Sequence, residues 1–274
     1  MRFVLATSLF ISGMSAAAQQ PPDYLRDRGR GIATSMFGSY VARGELLVYP
    51  FFEYTTQDLE YKPAELGYGL DQDFRGSYRE TESQLFLAYG VSDRLAFELE
   101  GAFNTTATLH KSAGDPSGMP ATLHESGLGD VQAEARWRWA SETRSGPEIF
   151  SYLETDFPLQ RSRQLIGTQE WEFKLGTGAT RGFRFGTLTV RAAGEYHPES
   201  GTVEFGEYAL EYLKRLSGTW RVYGGVEGTQ DEVELITEAQ WRLGRGAVLK
   251  LNNAFGLTSK APDWAPEVGI IWSF

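Results

Sequence analysis

The chain has 274 residues, 26 Lys and Arg against 36 Asp and Glu for a formal net charge of −10, and no cysteine. The acidic balance excludes nucleic acid as a partner, since phosphate binding needs clustered Lys and Arg, and the missing cysteine excludes a disulfide framework and thiol chemistry. Beyond the N-terminus no apolar run reaches the length a membrane-crossing helix needs, which argues against an inner-membrane protein.

In chain order, Arg2, the apolar run Phe3 to Met14 and the small residues Ala16-Ala17-Ala18 predict a secretory signal peptide over residues 1–18, cleaved after Ala18. Residues 19–44 read as an irregular periplasmic arm. Pro21-Pro22 opens it, Arg26, Arg28, Arg30 and Arg43 make it basic, and Gly29, Gly31, Gly38 and Gly44 interrupt any helix. Two readings stay open for this arm: a solvated lead-in, or an insertion into the lumen that pairs its arginines with an acidic wall.

Residues 45–274 show a recurring period of two, the signature of strands with one apolar face. Glu45 to Tyr54 is the first, with a bulge expected at Pro50. A polar loop to about Tyr78 separates it from Thr81 to Tyr89, and the turn Gly90 to Arg94 leads into Leu95 to Phe103. A second long loop spans His110 to Gly127. Val131 to Trp139 alternates most clearly, setting Val131, Ala133, Ala135, Trp137 and Trp139 against Gln132, Glu134, Arg136 and Arg138. Further strands are expected at Glu148–Phe157, Gln169–Ala179, Phe185–Tyr196, Val203–Leu213, Trp220–Glu227, Glu232–Arg242, Ala247–Leu257 and Ala265–Phe274.

The connections alternate short and long, as they do when strands run up and down through a bilayer. The last strand, with Val268, Ile270, Trp272 and Phe274 on one face, suits the closing strand of such a cylinder and an address for barrel-assembly machinery. The expected fold is therefore all-β: a transmembrane antiparallel up-and-down β-barrel of about twelve strands, in the bacterial outer membrane, in contact with lipid and lipopolysaccharide. A soluble β-sandwich also alternates, but its loops need not. Trp139, Trp220, Trp241, Trp272 and Phe274 fall near strand ends on apolar faces, where an interfacial aromatic girdle is expected.

The polar faces then line the lumen: Glu98, Glu100, Glu134, Arg136, Arg138, Glu172, Lys174, Arg191, Glu207, Glu211, Arg221, Glu227, Glu234, Glu238, Arg242 and Lys250. Acidic groups outnumber basic ones. A barrel of this size has a backbone diameter on the order of 24 Å, which long side chains largely fill. Two functions fit: a narrow channel or transporter for small solutes with an acidic lumen, or a plugged structural or receptor barrel acting through its extracellular loops.

The segment Gly127-Leu128-Gly129-Asp130 before a long strand, together with Tyr89 to Leu95 (YGVSDRL) between two strands, resembles the outer-membrane family associated with phenol meta-pathway gene clusters. That resemblance implies an outer-membrane location and passage of small, even aromatic, molecules, and it implies no catalytic residue. No enzyme is expected. His110, His124 and His197 fall in predicted loops, and no Gly-x-Ser-x-Gly elbow occurs. No cofactor or metal is assigned: paired loop histidines such as His110 and His124 are usually solvated, Asp71 and Asp73 lack the rest of a calcium loop, and Gly176-Thr177-Gly178 lacks a dinucleotide motif's third glycine and is expected to lead into a turn.

Overall fold

The computed structural model describes residues 22–274; the expected signal peptide lies outside them. A 3₁₀ turn, Asp23–Leu25, and two short paired strands, β1 (Ile32–Ala33) and β2 (Tyr40–Val41), come first. The wall follows: β3 (Leu46–Tyr61), β4 (Phe74–Gly90), β5 (Leu95–His110), β6 (Thr122–Gly127), β7 (Val131–Ala140), β8 (Glu148–Asp156), β9 (Glu172–Gly182), β10 (Thr187–His197), β11 (Thr202–Arg215), β12 (Trp220–Gly228), β13 (Val233–Gly244), β14 (Ala247–Gly256) and β15 (Ala265–Ser273). Both β6 and β7 pair with β5, Thr105 standing opposite Gly127 and Gly101 opposite Val131, so they are two halves of one wall strand and the barrel has twelve. Each strand is antiparallel to the next, and β15 pairs with β3 to close the ring.

Alternation sets the faces. In β10 and β11, Val190 and Leu210 are cross-strand partners pointing outward, 49% and 55% exposed, whereas Arg191 and Glu211 point inward. The same rule turns Phe97, Leu99, Leu153, Leu235, Leu251 and Val268 outward into one apolar band. At the end that carries the short turns, Trp220 stacks on its partner Trp241 at 5.6 Å, and Trp139, Trp272 and Phe274 lie at the same end, close to strand termini. All five aromatics singled out in the sequence thus belong to one rim, the periplasmic one by the usual orientation of short turns.

The first four strands are longer than their sequence pattern suggested. The expected polar loop after Tyr54 is strand to Tyr61, β4 begins at Phe74, β5 continues to His110, and the expected loop 110–127 contains β6. The reason is an inversion of polarity along one strand. Above the apolar band the outward positions are polar, as in Asp58, Glu60, Arg75, Ser77, Arg79, Thr108 and His124, because that face meets water. The inward positions are apolar: Tyr61, Tyr78, Ala107 and Leu109 pack with Leu66, Met119 and Ile166 from the loops into a separate core. Period two persists, but its hydrophobic face changes sides.

Three other expectations are corrected. Pro50 causes no bulge, since β3 keeps one register on both sides, Pro50 opposite Leu85 and Phe51 opposite Gly269; lacking an N–H, it only interrupts the β15 ladder locally. Register shifts lie elsewhere, at Phe103 facing the Gly127–Asp130 break, and at Gly206, Leu243 and Trp139. His110 and His197 end β5 and β10, and His124 lies within β6, so none is a loop residue. Gly176 and Gly178 lead into no turn: they face inward at mid-β9, where a Cβ would strike the rings of Tyr152 and Phe150 on β8.

The band position is testable by charge insertion. Leu210→Arg should cost about 2–4 kcal/mol in reversible unfolding from lipid vesicles, the usual penalty for a lipid-facing cation near the midplane. Ser77→Arg, outward-facing on β4 but above the band, should cost less than about 0.5 kcal/mol, as exposed substitutions do.

Candidate functional site in the barrel interior

The inner wall carries buried ionic groups that the alternation forces inward, and most find partners. On β7 the Arg136 guanidinium donates to Glu134 at 2.5 and 2.8 Å, lies 3.7 Å from Glu98 of β5, and covers the rings of Phe150 and Tyr152 at 5.2 and 4.9 Å. On β10 Arg191 meets three carboxylates, Glu207 and Glu211 of β11 and Glu227 of β12. Lys174 donates to Glu154 at 2.6 Å, and Lys250 lies 3.1 Å from Glu238. Such pairs offset the cost of desolvating two charges only when geometry is good; losing one partner leaves an uncompensated buried charge.

Residues 26–45 make contacts across this interior. Arg28 donates to Glu142 and Glu148, each at 3.0 Å, with all three side chains almost fully buried. Arg138 reaches Glu148 at 3.1 Å and donates to the Gly31 carbonyl. Ser35 donates to Glu98 from its backbone N–H (2.8 Å) and hydroxyl (2.6 Å), and the Phe37 carbonyl accepts from Lys250 at 2.9 Å. Ile32 and Val41 pack with Leu47, Tyr49, Phe51, Phe86 and Ile271 on the inward face at the seam, so this part of the interior is apolar. Gly269 makes room there, since a Cβ would lie 2.5 Å from both Phe51 and Tyr49. Gly90 serves the same segment: its bare Cα lets Ala42 and Arg43 pass beneath the 90–94 turn, and its carbonyl accepts from Gly44 at 2.7 Å.

Cavities remain on either side of these residues. Toward the loops, one of about 270 Å³ touches Ser35, Met36 and Phe37 and is bordered by Glu100, Glu154, Lys174, Arg191, Glu207, Glu227, Glu232 and Glu234. A neighbouring space of about 570 Å³ includes Glu53, Glu80, Tyr78 and Gln169. Toward the short turns, a cavity of about 280 Å³ is bordered by Arg28, Tyr40, Arg221 and Arg242. The loop side is mostly acidic and the turn side mostly basic.

The sixteen residues expected in the lumen occupy inward positions, but in separate groups. Glu98, Glu134 and Arg136 form one, Arg191, Glu207, Glu211 and Glu227 a second, Lys174 bonds Glu154, and Lys250 with Glu238 adjoins Phe37. Arg138 lies with Arg28 and Glu148, Arg221 and Arg242 at the turn-side cavity, Glu100 and Glu234 at the loop-side one, and Glu172 near the mouth of β9. Sequence reasoning missed Glu53, Glu80, Glu148 and Glu267. Glu53 and Glu267 are register partners across the seam, and Glu267 accepts from the Tyr49 hydroxyl. Their signal was available, since each alternates with an outward apolar or β-branched neighbour. Among the described residues, Glu53, Glu80, Glu82, Glu100 and Glu267 have no lysine or arginine within 4.0 Å, and they share one side of the wall, β15–β3–β4–β5.

No known family model matches the chain, and no curated protein does. Among solved structures it is similar to the translocator domain of the autotransporter NalP from Neisseria meningitidis, with a TM-score of 0.52 and 11% identity over 85% of this chain and 89% of that one. It is also similar to the KdgM porin in complex with disordered oligogalacturonate, with a TM-score of 0.51 and 6% identity over 82% and 99%. At these identities the likeness is one of fold. A closed antiparallel ring of twelve strands, apolar outside at mid-height and charged within, defines the class: this is a β-barrel of the bacterial outer membrane.

Arg136→Met should be costly because it strands Glu134 and Glu98 in the wall. A loss of about 3–5 kcal/mol in unfolding free energy is expected, with part of it recovered in the double variant Arg136→Met/Glu134→Gln. An unchanged unfolding midpoint for the single variant would mean these carboxylates are already neutral or hydrated.

Proposed function

We propose that the barrel is a narrow outer-membrane channel for small solutes, biased toward cations, whose bore is divided by its own N-terminal segment, residues 22–44. One observation carries this reading: carboxylates without a cationic partner border the loop-side cavities, while arginines border the turn-side cavity, with residues 31–41 between them. A cationic or polar solute entering from the loops meets attraction first and a basic barrier second. For a net current to flow, the segment must yield or leave a side passage. The narrower kinship with the phenol meta-pathway-associated family rests on two motifs that also have local structural roles, the break at Gly127–Asp130 and the crossing at Gly90. The carboxylates are therefore the better guide to cargo, and they favour positive charge over an aromatic acid.

The alternative, a plugged barrel working through its loops, draws support from the core that Tyr61, Tyr78, Leu109, Met119 and Ile166 build above the apolar band. As partners, outward-facing Arg79 suits a lipopolysaccharide phosphate, and the exposed Phe274 suits recognition by assembly machinery. Planar-bilayer recordings separate the readings. Deleting residues 19–43 should raise single-channel conductance several-fold and give a cation-selective reversal potential, reduced by Glu53→Gln/Glu100→Gln. Unchanged conductance after deletion, or anion selectivity, would overturn the channel proposal.

A further inference from the structure

A cluster at the loop-side mouth belongs to none of the ionic groups above. Glu172 opens β9 with Glu170 two residues before it, and Glu195 and His197 are two apart at the end of β10. The β9–β10 ladder pairs Lys174 with Glu195 and Phe173 with Tyr196, so the next step sets His197 across from Glu172. Alternation thus delivers the donors to one face as a patch spanning two strands. His197 Nδ1 lies 3.5 Å from Glu170 and 4.0 Å from Glu172, and its Nε2 lies 3.8 Å from Glu195. One ligand atom each from Glu170, Glu172 and His197 falls within a span of 4.8 Å.

These separations are too long for hydrogen bonds, which require about 2.7–3.2 Å. The 3.5 Å from Nδ1 to Glu170 suits ligands sharing an ion, and the 4.0 Å to Glu172 needs only a small side-chain movement to do so: with bonds of about 2.0–2.2 Å and tetrahedral angles, neighbouring ligand atoms stand roughly 3.3–3.6 Å apart. The two ring nitrogens divide the roles. Nδ1 faces two carboxylates, while Nε2 faces the third, Glu195, at 3.8 Å, the side from which a carboxylate orients a metal-bound imidazole once an ion draws the ring into place. Counter-charge is otherwise scarce. Among the described residues no lysine or arginine lies within 4.0 Å of Glu170, Glu172 or Glu195, Lys174 is engaged with Glu154, and Arg161 is engaged with Glu199.

We propose that Glu170, Glu172 and His197 form a binding site for a divalent transition-metal ion of the zinc class at the channel mouth, with Glu195 holding the imidazole in place. Mixed imidazole and carboxylate ligation selects zinc and its neighbours over calcium or magnesium, which prefer oxygen alone. The fourth position stays open to water or to a passing ligand. The site stands whether or not the lumen conducts.

The test is calorimetric titration of zinc chloride into the refolded, tag-free protein in detergent, each variant first checked for heat-modifiable gel migration. One equivalent should bind. His197→Ala and Glu172→Gln should each weaken binding at least tenfold, Glu195→Gln by a smaller factor, and His110→Ala/His124→Ala not at all. That last pair is remote, exposed and hydrogen-bonded to Thr122 and Thr108. Absence of stoichiometric zinc, full binding by a folded His197→Ala variant, or loss in the His110/His124 variant would each overturn the assignment.

Discussion

Everything in this molecule depends on completing the backbone ladder. Inside hydrocarbon an unpaired N–H or C=O costs several kcal/mol, so a sheet can cross only if its last strand returns to its first. Here β15 meets β3 in antiparallel register, and the terminal residue takes part: Phe274 donates to Leu46 at 3.0 Å and accepts from it at 3.1 Å. Proline at position 50 stands in this joint, yet the register passes through it undisturbed. The seam tolerates the missing donor because the ladder resumes in the same register on either side, at Phe51 with Gly269 and at Val48 with Trp272.

Closure then dictates the interior. Once alternate side chains must face lipid, their neighbours must face each other, and many of those are Glu, Arg and Lys. Pairing resolves part of the conflict, as at Arg136 and Arg191. Contacts from residues 26–45 resolve another part, since Ser35 serves Glu98, and Arg28 serves Glu142 and Glu148. Burial raises the tendency of Arg28 to lose its proton, but the Glu148 and Glu142 carboxylates more than reverse this and hold it charged. What remains unpaired is the carboxylate side of the wall, and that remainder is where a functional reading begins.

The barrel was legible in the sequence wherever outward meant lipid. Val131 to Trp139 and the strands from Thr187 onward follow that rule and lie within a few residues of their expected limits. Legibility failed where outward meant water. Along Thr55–Tyr61, Phe74–Glu80 and Thr122–Gly127 the polar face is outside, so a search for lipid-facing apolar residues takes these stretches for loops. Glycines misled in a related way: Gly176 and Gly178 look like turn residues, although their role is to leave space for two aromatic rings on the next strand. Among the interior residues, individual positions were readable by parity. Their grouping was not, because it depends on register between strands and on a segment whose path has no periodic signal.

The wall is uneven. Strands β3 to β5 run 16 or 17 residues, whereas β8 to β10 run 9 to 11. The rim therefore slopes, high over β3 to β5, where the apolar core lies, and low over β8 to β10, from which residues 157–171 reach across to that core with Ile166. The low flank is joined at its top by the short Pro198–Gly201 hairpin between β10 and β11, so the two sides of the cylinder reach different heights above the bilayer.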